Sequence, residues 1–228
     1  MRLRRAFVHC LAGVLASAFL AAGGAAAAQA GGAATPAVAS PALPGPEKPK
    51  PATVFVRIET SEGPILLELE KDRAPLTTAN FLRYVDAKRF DGETFYRALG
   101  GTSDFGLIQA GVRSDARKLF PPVRVEPTTQ TGLSHQTGTI SMARTAPVSA
   151  RSDFFIVVGD MSSLDAQPDQ PGDNLGFAAF GHVAAGMDVV RKIMAGPIAP
   201  GLGVREGMQG QMLARPVRIL SARRVAAP

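Results

Sequence analysis

The sequence is poor in the residue types on which many enzymes and small frameworks depend. It has one cysteine, three histidines and no tryptophan in 228 residues. A disulfide needs two cysteines, so the chain cannot form one within itself, and the shortage of Cys and His excludes a zinc cluster built from these ligands. The G-x-S-x-G elbow of serine hydrolases and the glycine spacing of dinucleotide-binding loops are also lacking. These absences exclude several common classes of enzyme.

The positive charge is modest once its position along the chain is considered. The formal net charge is +6, but three arginines lie within residues 1–30, which contain no acidic residue. The rest of the chain therefore carries +3, which is too little to predict a nucleic-acid partner. The arginines near the C-terminus are typical of the solvated end of a strand.

The N-terminal 52 residues have two compositions, neither of which predicts a packed domain. Residues 1–30 follow the order of a secretory signal peptide, with a basic start, an apolar run and Ala28-Gln29-Ala30 as the cleavage site. An uncleaved membrane anchor is the alternative, but the apolar run is only marginally long enough to span a bilayer. Residues 31–52 predict a disordered linker rich in proline and alanine. We expect cleavage of the leader and no stable membrane insertion afterwards.

Beyond the linker, the hydrophobic pattern predicts a mainly β domain over residues 53–225. A helix is expected from Ala74-Pro75 to about Lys88, because proline is favoured in a first turn and apolar residues recur at helical spacing. A second helix is expected over 185–194. Short apolar runs separated by turns predict strands at 54–60, 65–70, 94–98, 107–109, 138–143, 154–158, 180–183 and 217–221. This order favours a closed antiparallel barrel capped by two helices.

Eight short motifs follow one another between Val54 and Arg223. They are Ala74–Phe81 (APLTTANF), Phe90–Arg97 (FDGETFYR), Ile108–Gly111 (IQAG), Gly138–Thr145 (GTISMART), Ser152–Ile156 (SDFFI), Leu164-Asp165, Phe177–Val183 (FAAFGHV) and Gly186–Val190 (GMDVV). In sequence and order they resemble the cyclophilin family of peptidyl-prolyl cis-trans isomerases, and the Met-Ala-Arg-Thr segment is similar to the exported bacterial branch. The resemblance implies an eight-stranded barrel, isomerase activity during the folding of exported proteins, and a periplasmic location.

The resemblance also implies a role for individual residues. Arg97 would be the catalytic guanidinium near the prolyl nitrogen, and Gln109 would orient it and bind the substrate carbonyl. The pocket for the proline ring would be formed by Phe105, Leu107, Phe155 and Leu164, with Phe177 at its rim. Further substrate contacts are expected from Phe95, Tyr96, Ala143, Arg144 and Asp153. Because rotation about an amide changes no covalent bond, no cofactor and no metal are expected.

Three features depart from the family pattern. The stretch Gly100–Asp104 lengthens a loop that is compact in the family and displaces Phe105 by one position. Asp153 replaces a glutamine and could pair with Arg97 or Arg144. Ser163 stands where an aromatic residue is usual. These departures lead us to expect reduced activity or an altered preference for the residue before proline.

The expected partners are proline-containing polypeptides that are unfolded or folding, bound by a monomer. The alternative is a cyclophilin-like module that binds proline peptides with little or no catalysis. The two histidines beyond the leader, His135 and His182, are expected to be surface or structural residues rather than catalytic bases.

Overall fold

The computed structural model describes residues 50–204 and 207–228; the predicted signal peptide and residues 31–49 of the predicted linker lie outside the described residues. The strands are β1 Thr53–Thr60, β2 Gly63–Glu70, β3 Thr94–Leu99, β4 Gly106–Gly111, β5 Thr139–Met142, β6 Phe154–Val158, β7 Ala178–Ala185 and β8 Met212–Val225. The α-helices are α1 Pro75–Asp86, α2 Thr128–Thr131 and α3 Met187–Met194, and short 3-10 helices lie at Ala116–Lys118 and Ser162–Leu164. Within the described ranges, no helix is long and apolar enough to cross a membrane.

The eight strands form one closed antiparallel barrel. Their order around it is β1-β2-β7-β5-β6-β4-β3-β8, and pairing of β8 with β1 closes the circle. Closure leaves no sheet edge unpaired, which removes the usual site of strand-to-strand aggregation. The expected fold class, a closed eight-stranded barrel, is confirmed.

The two predicted helices are present, and a short third one accompanies them. α1 begins with Pro75 in its first turn, as its sequence predicts, and α3 buries Val190 and Ile193 against the core. α2 is a single turn that ends at Gly132 in the left-handed conformation, with φ of 67°. Four residues are too few to show a helical hydrophobic period, so this turn could not be predicted from the pattern.

Aromatic side chains fill the core that the strands and helices share. The ring of Phe81 on α1 lies 5.1 Å from the ring of Phe90, 5.2 Å from that of Phe154 and 5.4 Å from that of Phe180, measured between centroids. All four side chains are almost completely buried. Phe81 therefore joins α1 to β6 and β7 through a single aromatic cluster.

Alternation along β4 and β6 separates this core from a second, smaller apolar cluster. Ile108 and Ile156 belong to the main core, whereas their neighbours Leu107, Phe155 and Val157 form the second cluster with Met161. Successive strand residues face opposite sides of a sheet. The second cluster therefore lies on the outer face of the barrel wall, where a ligand can reach it.

Truncating the central ring should destabilise the fold much more than truncating an exposed one. We expect Phe81→Ala to lower the free energy of unfolding by about 3–5 kcal/mol, because it leaves a cavity among three other rings. Phe105→Ala is the matched control, since the Phe105 side chain is 52% exposed, and it should cost about 1 kcal/mol or less. Chemical denaturation of both variants measures the difference, and equal losses would contradict the central position of Phe81.

Candidate active site

A cavity of about 570 Å³ lies against the outer face of β3, β4 and β6. One part of its wall is apolar and includes the second cluster. Among the described residues, the other part carries arginines, hydroxyls and one carboxylate. The lining residues are Tyr96, Arg97, Leu99, Leu107, Gln109, Arg113, Leu119, Ala143, Arg144, Thr145, Ser149, Arg151, Asp153, Phe155, Met161, Leu164, Phe177 and Met208.

A β-bulge in β3 places two polar side chains on the cavity side. Phe95 pairs with Ala110 and Ala98 pairs with Ile108, and all four belong to the barrel core. Between these pairs β3 has two residues, Tyr96 and Arg97, whereas β4 has only Gln109. Such a two-against-one arrangement breaks the strict alternation of side chains. Tyr96 and Arg97 therefore both face the cavity, beside Gln109.

Two glutamines hold the guanidinium of Arg97. Its Nη1 donates to Oε1 of Gln109 at 2.7 Å, while Nε and Nη2 donate to Oε1 of Gln211 at 2.8 and 2.5 Å. Partial burial lowers the pKa of Arg97, but a guanidinium titrates so high that it stays charged wherever the protein is folded. These contacts use three of its five N–H donors, which leaves capacity to bind a substrate atom.

Phe155 forms the floor of the apolar part. Its ring packs edge-on against the ring of Phe177, with 5.5 Å between the ring centroids, and Leu107 and Met161 are buried beside it. Ala143 and Leu164 are partly buried and complete this wall. A hollow lined by aliphatic and aromatic groups suits a proline ring, which has no polar atom beyond the backbone.

His135 supports this floor from below. Its imidazole stacks on the ring of Phe155, with 5.9 Å between the ring centroids, and is completely buried. Nδ1 lies 2.5 Å from Oδ1 of Asp165, and Nε2 lies 2.9 Å from Oγ of Ser141. Burial lowers the pKa of His135 despite the opposing effect of Asp165, so the ring is neutral and accepts a hydrogen bond from Ser141. His135 thus has a structural role, as expected, although it is in the interior and not at the surface.

Arg144 forms part of the cavity rim and is fixed by the loop before β7. Its Nη1 and Nη2 donate to the two carboxylate oxygens of Asp173 at 2.6 and 2.7 Å, and Nε donates to the carbonyl of Gly176. The guanidinium lowers the pKa of Asp173 to about 2. The ion pair leaves Arg144 in a fixed position, with much of its charge neutralised.

Asp153 contacts neither arginine that the sequence suggested for it. Its Oδ1 accepts from the hydroxyl of Tyr96 at 3.0 Å, and the same hydroxyl accepts from Nε2 of Gln109 at 2.7 Å. The link from Asp153 to Arg97 is therefore indirect, through two side chains. The direct pairing that the sequence allowed does not form, because Tyr96 bridges Asp153 and Gln109 while Asp173 binds Arg144.

Ten of the twelve predicted site residues line the cavity, and two do not. Phe95 is buried in the barrel core, because it is the inward residue just before the bulge. Phe105 is half exposed, because the lengthened Gly100–Asp104 loop places it just before β4 and away from the pocket. Among the described residues, no three His, Cys, Asp or Glu side chains are grouped so that they could hold a metal ion.

Several residues that contribute to the site were not identified from the sequence, among them Gln211 and Met161. Gln211 precedes β8 in a glycine-rich stretch and is 114 positions from Arg97, so no local pattern indicates their contact. Met161 lies in the apolar wall and could have been suspected only because it precedes the motif residue Leu164.

A sequence model of the family described as cyclophilin type peptidyl-prolyl cis-trans isomerase matches residues 55–224. The chain belongs to the cyclophilin family. The match covers nearly the whole barrel, from within β1 to near the end of β8. It agrees with the geometry, because the motif residues Arg97, Gln109 and Phe155 meet at one cavity.

Similar proteins include several bacterial cyclophilins. The chain is 33% identical over 171 residues to a peptidyl-prolyl cis-trans isomerase of Acinetobacter baylyi, a match that covers 75% of this chain and 85% of the relative. It is 40% identical over 142 residues to peptidyl-prolyl cis-trans isomerase A of Dickeya dadantii, covering 60% of this chain and 70% of the relative.

Solved structures agree on the fold. A cyclophilin type peptidyl-prolyl cis-trans isomerase from Cryptosporidium parvum superposes with a TM-score of 0.58 at 18% identity, covering 78% of this chain and all of the other. A structure of the same protein in the presence of the dipeptide Ala-Pro gives a TM-score of 0.57.

Proposed function

We propose that Arg97, Gln109 and the apolar pocket around Phe155 catalyse rotation about X–Pro bonds in exported proteins. Membership of the cyclophilin family makes this chain a peptidyl-prolyl cis-trans isomerase. The observation that carries the assignment of the site is the outward-facing Arg97, fixed by two glutamines beside an apolar hollow.

The chemistry requires stabilisation of a twisted amide. A planar X–Pro amide has a rotational barrier of roughly 18–20 kcal/mol, and uncatalysed exchange takes tens to hundreds of seconds. When the amide twists, conjugation is lost and the prolyl nitrogen regains a lone pair. An N–H of Arg97 can donate to that lone pair, and this interaction is absent when the amide is planar. Stabilising the twisted state over the planar states is what accelerates the reaction.

The pocket supplies the second requirement, a fixed point about which the chain rotates. The proline ring would enter the hollow above Phe155, and the chain preceding it would lie across the polar part of the cavity. Each ~1.4 kcal/mol of preferential stabilisation gives about a tenfold increase in rate. Rotation neither makes nor breaks a covalent bond, so these side chains can provide the whole of the catalysis.

Changing Arg97 should remove activity without unfolding the protein. We expect Arg97→Ala to reduce kcat/KM on an Ala-Pro peptide by about 100-fold or more, the usual effect of removing one donor to a transition-state charge. Arg97→Lys should be intermediate, because an ammonium cannot reach both glutamines. Isomer exchange measured by NMR, with thermal melting as a check of folding, gives the result.

Arg57→Lys is the matched control, because Arg57 is exposed on β1 and bonded to Glu59. It should retain full activity. No acceleration by the folded wild-type protein would instead favour the second candidate, a module that binds proline peptides without catalysis.

Charge in the cavity wall should influence which peptides are preferred. Arg151 lies in the polar part of the wall, Asp153 is the one carboxylate among the described lining residues, and Arg144 is neutralised by Asp173. We expect peptides with glutamate near the proline to have a kcat/KM several-fold above that of matched glutamine peptides, with the advantage reduced by salt. Arg151→Gln should reduce it and Arg57→Gln should not; an advantage for lysine peptides would contradict the proposal.

Export is supported by the composition of residues 1–30, which has the order of a secretory signal. We expect the protein to be recovered from the periplasm of its bacterial host with an N-terminus just after Ala30. Cell fractionation and N-terminal sequencing measure both properties. Recovery of the full-length chain from the membrane fraction would show that the leader is retained as an anchor.

A further inference from the structure

A continuous series of hydrogen bonds connects Arg97 to the carboxylate of Asp153, which lines the same cavity. Arg97 donates to the oxygen of Gln109 at 2.7 Å, and the nitrogen of Gln109 donates to the hydroxyl of Tyr96 at 2.7 Å. That hydroxyl donates to Asp153 at 3.0 Å. This series of hydrogen bonds crosses from β3 to β4, returns to β3 and ends at Asp153, the residue before β6.

The two ends of this chain fix its direction. A guanidinium has no acceptor, and an ionised carboxylate has no donor. Tyr96 must therefore donate to Asp153, so its oxygen can only accept from Gln109. Gln109 in turn must point its nitrogen at Tyr96 and its oxygen at Arg97. A neutral partner in place of the carboxylate would remove one of the two constraints, because it could also donate to Tyr96.

We propose that Asp153 is a positioning residue of this isomerase, which acts through Tyr96 and Gln109 to hold the guanidinium of Arg97, so that catalysis depends on ionised Asp153. The inference rests on the proposed role of Arg97. Asp153 itself need not touch the substrate. Its contribution is to keep the amide of Gln109 in the orientation that presents an acceptor to the guanidinium.

The surroundings of Asp153 are built to hold this side chain in place. Gly111 faces it from β4, and a Cβ there would lie 2.1 Å from the carboxylate oxygen. The main chain of Asp153 is also fixed, since its carbonyl accepts from the amide of Ala143 at 2.8 Å. Any residue larger than glycine at position 111 would therefore displace the carboxylate from Tyr96.

Charged groups around Asp153 have opposing effects on its ionisation. Burial raises the pKa of Asp153, and Glu93, which precedes β3, adds to the increase. The hydrogen bond from Tyr96 and the charge of Arg113 lower it. The Arg113 guanidinium lies 4.3 Å from the centre of the Tyr96 ring, and Arg151 lines the same cavity. The net result is a pKa above the ordinary value for aspartate.

The pH dependence has a definite sign. Ionised Asp153 is the form that orients Tyr96 and Gln109. The value of kcat/KM should therefore be high at neutral pH and should fall as the pH decreases through the raised pKa of Asp153. Stability has the opposite dependence. A folded-state pKa above the unfolded value means that folding disfavours the ionised form, so the carboxylate reduces stability at neutral pH. A residue that serves only the fold would not combine these two properties.

The decisive experiment compares the wild-type protein with Asp153→Asn from about pH 4 to about pH 8, a range that brackets aspartate titration. We expect the variant to have a kcat/KM reduced roughly three- to tenfold at neutral pH, as for weakening one hydrogen bond. Its kcat/KM should lack the decrease at low pH, called here the acidic limb. It should melt at a temperature equal to or higher than that of the wild type. Tyr96→Phe should also lack the acidic limb, and the double variant should be no worse than the worse single one.

Asp86→Asn provides the matched control, because Asp86 is an exposed carboxylate on α1 that pairs with Arg224. It should keep both the activity and the acidic limb of the wild type. An Asp153→Asn variant with wild-type kcat/KM and an unchanged acidic limb would overturn the proposal.

A readout in the free protein separates this inference from the proposed function. The NMR signal of the Gln109 side-chain amide, which donates to Tyr96, should shift with pH in the wild type and in Asp86→Asn, but not in Asp153→Asn. If the wild type shows this shift without isomerase activity, the proposed function fails while the positioning chain stands. If the signal does not move with pH in the wild type, the positioning chain is refuted whatever the activity.

Discussion

The additional residue that β3 carries between Phe95 and Ala98 determines where Tyr96 and Arg97 lie relative to Gln109. In a regular strand Tyr96 and Arg97 would face opposite sides, and one of them would enter a core of aromatic rings. A guanidinium there would lose its hydration without gaining partners, at a cost of several kcal/mol. The bulge turns both side chains outward, over the single residue Gln109. The β3–β8 pairing changes at the same point, where Phe95 pairs with Val217 but Arg97 with Met212, and this change brings Gln211 to the guanidinium.

A rigid barrel makes that arrangement useful for catalysis. The interior is filled by interlocking rings, so the wall that carries Arg97, Gln109 and Phe155 has little freedom to move. Arg97 is held at three nitrogens before any substrate arrives. A donor that is already oriented need not be reorganised when the amide twists, which is the main source of electrostatic catalysis. The floor is equally fixed, because His135 supports Phe155 through its contacts with Asp165 and Ser141.

Local pattern was sufficient to predict the strands, both longer helices and, with the family motifs, most of the cavity. It was insufficient wherever position depended on pairing between distant segments. The family resemblance predicts Phe95 as a substrate contact, but a bulge separates the faces of neighbouring residues in a way that alternation does not reveal. Gln211 is brought in by strand pairing 114 positions away. The charge of Asp153 allows a direct pair with Arg97, but strand pairing places the Tyr96 hydroxyl against this carboxylate instead.

The Tyr96–Asp153 pair shows how a function can require a side chain that is unfavourable for stability, here a buried carboxylate. A buried tyrosine hydroxyl without an acceptor would be unfavourable, and so would a buried carboxylate without a donor, so each residue makes the other tolerable. That reciprocity alone does not require a charge, because an asparagine at position 153 could also accept from Tyr96. The carboxylate is the more costly choice, since burial disfavours its ionised form. Ionised Asp153 can only accept hydrogen bonds, and the guanidinium of Arg97 can only donate them. Between these two groups, the amide of Gln109 and the hydroxyl of Tyr96 have a single orientation that satisfies both.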